Sequence, residues 1–116
     1  MKFNHIFILI IILFVNNLNA QTQAEMNTTA INDFKKTDKE LNLVYNKLLK
    51  ILSQEEKKLL IKAQKDWLKF RDSHCEFEIL EFEGGSIQPL IKYTCLEDQT
   101  KKRIEDLNSA IENRNK

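Results

Sequence analysis

The chain has 116 residues, with 18 Lys and Arg against 17 Asp and Glu, a formal charge of +1, two cysteines, two glycines and one proline. That near-neutral balance disfavours nucleic acid as a partner, and the length allows one domain with a modest core that a covalent staple would help. With no Cys-x-x-Cys and only His74 as a histidine beyond residue 20, no metal or cofactor is expected.

In chain order, the first element is a leader. MKFNHIFILIIILFVNNLNA joins Lys2 to an apolar run from Ile6 to Val15 and a polar stretch ending in Ala20. This is the pattern of a secretory signal peptide over residues 1–20. The run is shorter than the roughly 20 apolar residues that span a bilayer, and an uncleaved anchor is the alternative. The leader carries one of the 18 cations and none of the 17 acids, so the remaining domain, 21–116, is formally neutral.

Gly84, Gly85 and Pro89 lie within six residues, and the rest of 21–116 is free to form long helices. Thr22-x-x-Glu25 and Ser53-x-x-Glu56 have the form of capping boxes, predicting helix starts near 23 and 54. The first helix is then expected over about 23–51, and the second from about 54 to the glycine pair, which suits a left-handed helix end. Ser86 can cap a third helix, with Pro89 tolerated in its first turn. The expected fold is all-α: an antiparallel bundle of three long helices.

At about 100° per residue, Lys58, Lys62, Lys65, Asp66, Lys69, Ser73 and Glu76 share an outer face of the second helix. Two inner stripes are expected beside it, one of Leu59, Ala63, Phe70 and Phe77 and one of Gln64, Trp67, Arg71 and Cys75. Cys75 precedes Gly84 by about as far as Cys95 follows Gly85, so a hairpin of helices two and three brings the thiols level. Export favours joining them. The bridge would contribute roughly 3 kcal/mol in the chain-entropy account.

Charged side chains fall inside the apolar stripes. Asp38 and Asn42 interrupt Ile31, Phe34, Leu41, Tyr45, Leu48 and Leu52, and Arg103 interrupts Tyr93, Leu96, Ile104, Leu107 and Ile111. An unpaired buried charge is too costly to keep, so Asp38 is expected to meet Arg71, Arg103 or both. Asp38, Asn42, Gln64, Trp67, Arg71 and Arg103 then form an internal polar layer that sets helix register. A carboxylate clamped by guanidiniums makes a poor general base, so no catalysis is assigned to it.

Residues 75–86, CEFEILEFEGGS, interleave Glu76, Glu78, Glu81 and Glu83 with Phe77, Ile79, Leu80 and Phe82, so the apolar groups cannot share one stripe. One reading is a frayed, solvated helix end. The other is an acidic, partly apolar tip, Glu76 to Glu83 with Gly84, Gly85 and Ser86, that meets a basic protein partner.

The stretches TQAEMNTTA, KKTDKELNLVYNKLL, AQKDWLKFRDSHC, GGSIQPLI and CLEDQTKKRIEDL resemble, in order and spacing, the LprI-type lysozyme-inhibitor-like domain of bacterial envelope proteins. The resemblance implies a small, exported, all-helical, disulfide-bonded domain, and for a few members inhibition of host lysozyme, while most members have no assigned activity. Members commonly carry a cysteine where Thr29 stands and another nearer the mature start, and both are missing here. The expected function is therefore an exported, periplasmic or secreted protein that inhibits lysozyme by occlusion. The alternative is a general envelope module that binds protein or peptidoglycan. No enzyme is expected, because no nucleophile has a base beside it and there is neither a glycine-rich phosphate loop nor a histidine pair.

Overall fold

The computed structural model describes the backbone of residues 2–116 and the side chains of Ile10, Leu18 and residues 21–116. Three helices follow one another, α1 (Lys2–Ile51), α2 (Gln54–Glu78) and α3 (Gln88–Arg114), with one 3-10 turn (Leu80–Phe82) before α3. No strand occurs among the described residues. The all-α bundle is as the sequence predicts, and Cys75 and Cys95 are joined, with 5.7 Å between their Cα atoms.

The first helix starts much earlier than expected. α1 passes through Thr22 unbroken, and the Thr22 hydroxyl donates back to the Leu18 carbonyl at 3.1 Å. A threonine inside a helix can satisfy its hydroxyl this way. A capping pattern marks a start only where the preceding chain leaves the helix, and no Gly or Pro precedes Gly84. The expected signal peptide concerns residues 1–20, whose side chains, apart from Ile10 and Leu18, lie outside the described residues. Among the described residues no helix is long and apolar enough to cross a membrane.

Ser53 does cap α2. Its hydroxyl accepts from the Glu56 amide at 3.3 Å, and the Glu56 carboxylate accepts from the Ser53 amide at 2.9 Å. At its other end α2 stops at Glu78, short of the glycines, because the chain tightens into three-residue hydrogen bonds that turn Ile79 inward. Phe82 N donates to Ile79 O, and Gly85 N to Phe82 O. Gly84 alone takes a positive φ, +77°, so the left-handed residue serves the turn and not the end of α2. Ser86 is not a cap. The residue before α3 is Ile87, which makes no capping side-chain bond, while the Ser86 carbonyl accepts from Asn27 Nδ2 at 2.9 Å. α3 continues without a break through Thr94.

The Asn27 bond levels the α2–α3 turn with the early part of α1, so residues before about Gln23 project past the bundle, in a molecule 81 Å long. α1 and α3 pack closely. Their apolar core is at the end where α1 turns into α2: Leu41, Leu48, Leu52, Ile104, Leu107 and Ile111, closed by Val44, Tyr45, Leu60, Trp67 and Ala110. Fully burying one such aliphatic side chain is worth about 1.5–3 kcal/mol. Nearer the tip the buried residues include the small Ala30, Thr37 and Thr100 together with Leu96 and Ile79.

α2 buries one stripe, not two. Gln64, Arg71 and Cys75 are buried and Trp67 is half-buried, whereas Leu59, Phe70 and Phe77 are 66%, 56% and 68% exposed and Ala63 is exposed too. The disulfide and Arg71 fix the rotation of α2 about its own axis. Phe70 precedes Arg71 by one residue, so its side chain points about 100° away.

Candidate functional site

Arg71 is the centre of the interior polar cluster. Its position four residues before Cys75 puts it on the face that the disulfide turns toward α3. Nη1 donates to Asp38 Oδ1 at 3.1 Å and to the Thr100 hydroxyl at 3.3 Å, and Nε donates to Asp72 Oδ1 at 2.9 Å. The guanidinium carbon is 5.3 Å from the ring centroids of both Phe34 and Trp67. Thr100 is fully buried, and its hydroxyl donates to the Leu96 carbonyl at 2.6 Å.

Of the two partners expected for Asp38, only Arg71 bonds it. Arg103 instead donates to Gln64 Oε1 at 3.0 Å and approaches the Trp67 ring at 5.8 Å. Burial pushes the Arg103 guanidinium below its ordinary value, with Asp106 working in the opposite direction. Asn42 is exposed, at the rim of a hollow of about 300 Å³ that Asp38 and Arg71 also line. Trp67 thus lies between two arginines, joining the Asp38–Arg71 cluster to the Gln64–Arg103 pair.

Thr100 belongs to this interior, and Asp72, itself exposed, completes the bonding of Arg71; sequence reasoning assigned neither there, and it placed Phe34 in the apolar stripe of α1 without its contact to Arg71. A signal existed for Thr100, which falls at helical spacing between Leu96 and Ile104. Among the described residues every buried side-chain nitrogen or oxygen has a partner. The cluster therefore has no unmet valence aimed at a ligand, and no group of three His, Cys, Asp or Glu side chains is placed to hold a metal among those residues.

The tip is differently made. Ile79 is buried beneath it and Phe82 is half-buried, while Phe77 and Leu80 are 68% and 62% exposed. Glu76 pairs with Lys92 at 2.8 Å, and the bond to this carboxylate raises the Lys92 ammonium above its usual value. Glu78 lies 4.0 Å from His74, and Glu81 and Glu83 are exposed. So three of the four acids remain available around two exposed apolar groups, on a turn anchored by the disulfide below and Asn27 beside it. Between Gly84–Ser86 and α1 opens a groove of about 760 Å³ lined by the amides of Gln23, Asn27 and Gln88. Thr29 is exposed on a second groove, with Glu25, Asp33 and Glu97 around Met26 and Leu90.

The family described as "Lysozyme inhibitor LprI" matches residues 16–107 of the chain. An uncharacterized protein of Rhizobium meliloti (strain 1021) is 31% identical over 106 residues, spanning 80% of this chain and 76% of that protein. No solved structure matches significantly.

Proposed function

Because the chain belongs to the LprI lysozyme-inhibitor family, we propose that it is an exported protein that inhibits lysozyme by binding and occlusion, without chemistry of its own. The disulfide suits an oxidising compartment, the periplasm or the outside of the cell, and the leader supplies the route there. The observation that carries the reading is the tip: Phe77 and Leu80 are exposed beside Glu78, Glu81 and Glu83 on a covalently held turn. Acids steer a basic protein onto the tip and the apolar pair supplies contact area. The working groups of a lysozyme cleft are themselves carboxylates, so the acids serve approach and not insertion. The Ser86 hydroxyl, on an exposed residue, is an uncharged donor at the same tip.

The test is turnover of cell walls by a panel of lysozymes with the exported, purified protein. Inhibition is expected for at least one lysozyme, and none at high molar excess sinks the proposal. A second reading, binding of peptidoglycan fragments, draws on the groove beside the tip, whose Gln23, Asn27 and Gln88 amides suit a neutral, hydrogen-bonding sugar. Retention of the protein on insoluble peptidoglycan with no effect on lysozyme would favour that reading.

A further inference from the structure

We propose that the outward face of α2 is a self-association surface on which a second copy of the chain lays its own α2 antiparallel, about a two-fold axis at Phe70. The inference goes beyond lysozyme inhibition and does not depend on it. Its starting point is the stripe that the bundle leaves uncovered: Leu59, Ala63, Phe70 and Phe77, with Leu80 beyond the end of the helix, all exposed. Ala63, Phe70 and Phe77 recur every seven residues, the period of a seam between two helices.

Charge identifies the occupant. Residues 57–69 carry Lys57, Lys58, Lys62, Lys65 and Lys69 against the single acid Asp66. Residues 72–83 carry Asp72, Glu76, Glu78, Glu81 and Glu83 and no Lys or Arg. A basic protein would match the acidic half alone and be repelled from the other, leaving Leu59, Ala63 and Phe70 uncovered among lysines. A second copy set antiparallel matches both halves at once. The same operation sets Phe70 beside its own equivalent and the small Ala63 opposite the large Phe77, so the stripe is complementary to itself in shape as well as charge. Parallel pairing would instead align lysines with lysines. Because the pairing covers Phe77 and draws the tip acids onto lysines, dimer and lysozyme complex are alternative states of one face.

One helix pair buries little, below the ~1,200 Å² lower limit of standard interfaces, so the readout is a concentration-dependent monomer–dimer equilibrium. Analytical ultracentrifugation of the exported, purified protein should show dimer growing between about 10 µM and about 1 mM. Phe70→Glu, with helicity checked by circular dichroism, should weaken it at least about tenfold. The orientation is tested by a charge swap on exposed positions. Lys62→Glu with Lys65→Glu takes residues 57–69 from +4 to neutral, and Glu78→Lys with Glu81→Lys takes residues 72–83 from −5 to −1. Each variant alone should dimerise more weakly than wild type, and an equimolar mixture should form the heterodimer in preference to either homodimer. A wild type that stays monomeric throughout the range overturns the proposal. So does a dimer indifferent to Phe70→Glu, or charge variants that fail to pair when mixed while retaining native helicity.

Discussion

Arg71 is 7% exposed and satisfied from three directions, whereas the Asp38 side chain is 39% exposed. This asymmetry decides what each substitution does. Removing Asp38 leaves Arg71 with Asp72 and Thr100, so Asp38→Leu is expected to cost about 1.5–3 kcal/mol, the scale of one charge-assisted hydrogen bond. A fully buried pair broken at one partner would cost about 3–5 kcal/mol, and the Asp72 carboxylate that still pairs with Arg71 removes that penalty. Arg71→Met removes the hub itself, including its packing on Phe34 and Trp67, and should cost more, about 2–4 kcal/mol. The two share an interaction, so the double variant should cost less than the sum of the singles. Urea unfolding of the four proteins measures all of this, and strict additivity would show that the 3.1 Å contact contributes nothing.

Where α2 begins, Glu56 serves two elements. Its carboxylate closes the capping box with Ser53 and accepts from Arg114 Nη2 of α3 at 3.1 Å, and these bonds, the Ser53 amide first, hold it below the usual glutamate range. A carboxyl depressed on folding stabilises the native state above its unfolded value, near ~4.3. That stabilisation is lost as pH falls through the lower folded value. Wild type should therefore melt above Glu56→Gln at neutral pH, and the gap should close in acid. A gap that persists unchanged at pH 2 would refute the linkage.

The α2–α3 hairpin depends on its bridge in a different way. The joined cysteines are 20 residues apart, and closing such a loop in the unfolded chain is worth about 3 kcal/mol. Replacing both cysteines with serine should lower stability by that order in chemical denaturation while leaving the isolated helical content largely in place. The effect should be largest at the tip, where the buried apolar side chains besides the cysteine are Ile79 and Leu96. Hydrogen exchange at residues 76–88 is the local readout, with faster exchange expected in the double variant.

For the whole molecule, the unequal distribution of charge matters more than its neutral sum. Residues 35–71 hold eleven cations and five acids, and the acids of the tip lie at the other end of α2. If the tip steers a basic lysozyme, Glu78→Lys, Glu81→Lys and Glu83→Lys together should slow association by about tenfold or more at low salt. The loss should shrink as salt screens exposed charges over about 10 Å at 0.1 M. Stopped-flow binding separates this from dissociation, and an unchanged on-rate in the triple variant would move the binding surface elsewhere.

The sequence by itself determined the helices, the true capping box at Ser53, the level at which Cys75 meets Cys95, and the presence of charge inside the bundle. Each of these follows from local spacing, which a helix converts directly into position. Only the tertiary structure decided which stripe of α2 is buried, because rotation about the axis of a helix is set by what it docks against. Gln64, Arg71 and Cys75 won that choice over Leu59, Phe70 and Phe77, since a disulfide and a saturated guanidinium anchor one face while a few apolar side chains can remain in water. The choice of Arg71 over Arg103 for Asp38 was settled in the same way, by which side chain the docked helices bring within reach. The start of α1 was also beyond local reading: Thr22 carries the mark of a helix start, and continuity with the residues before it overrides that mark.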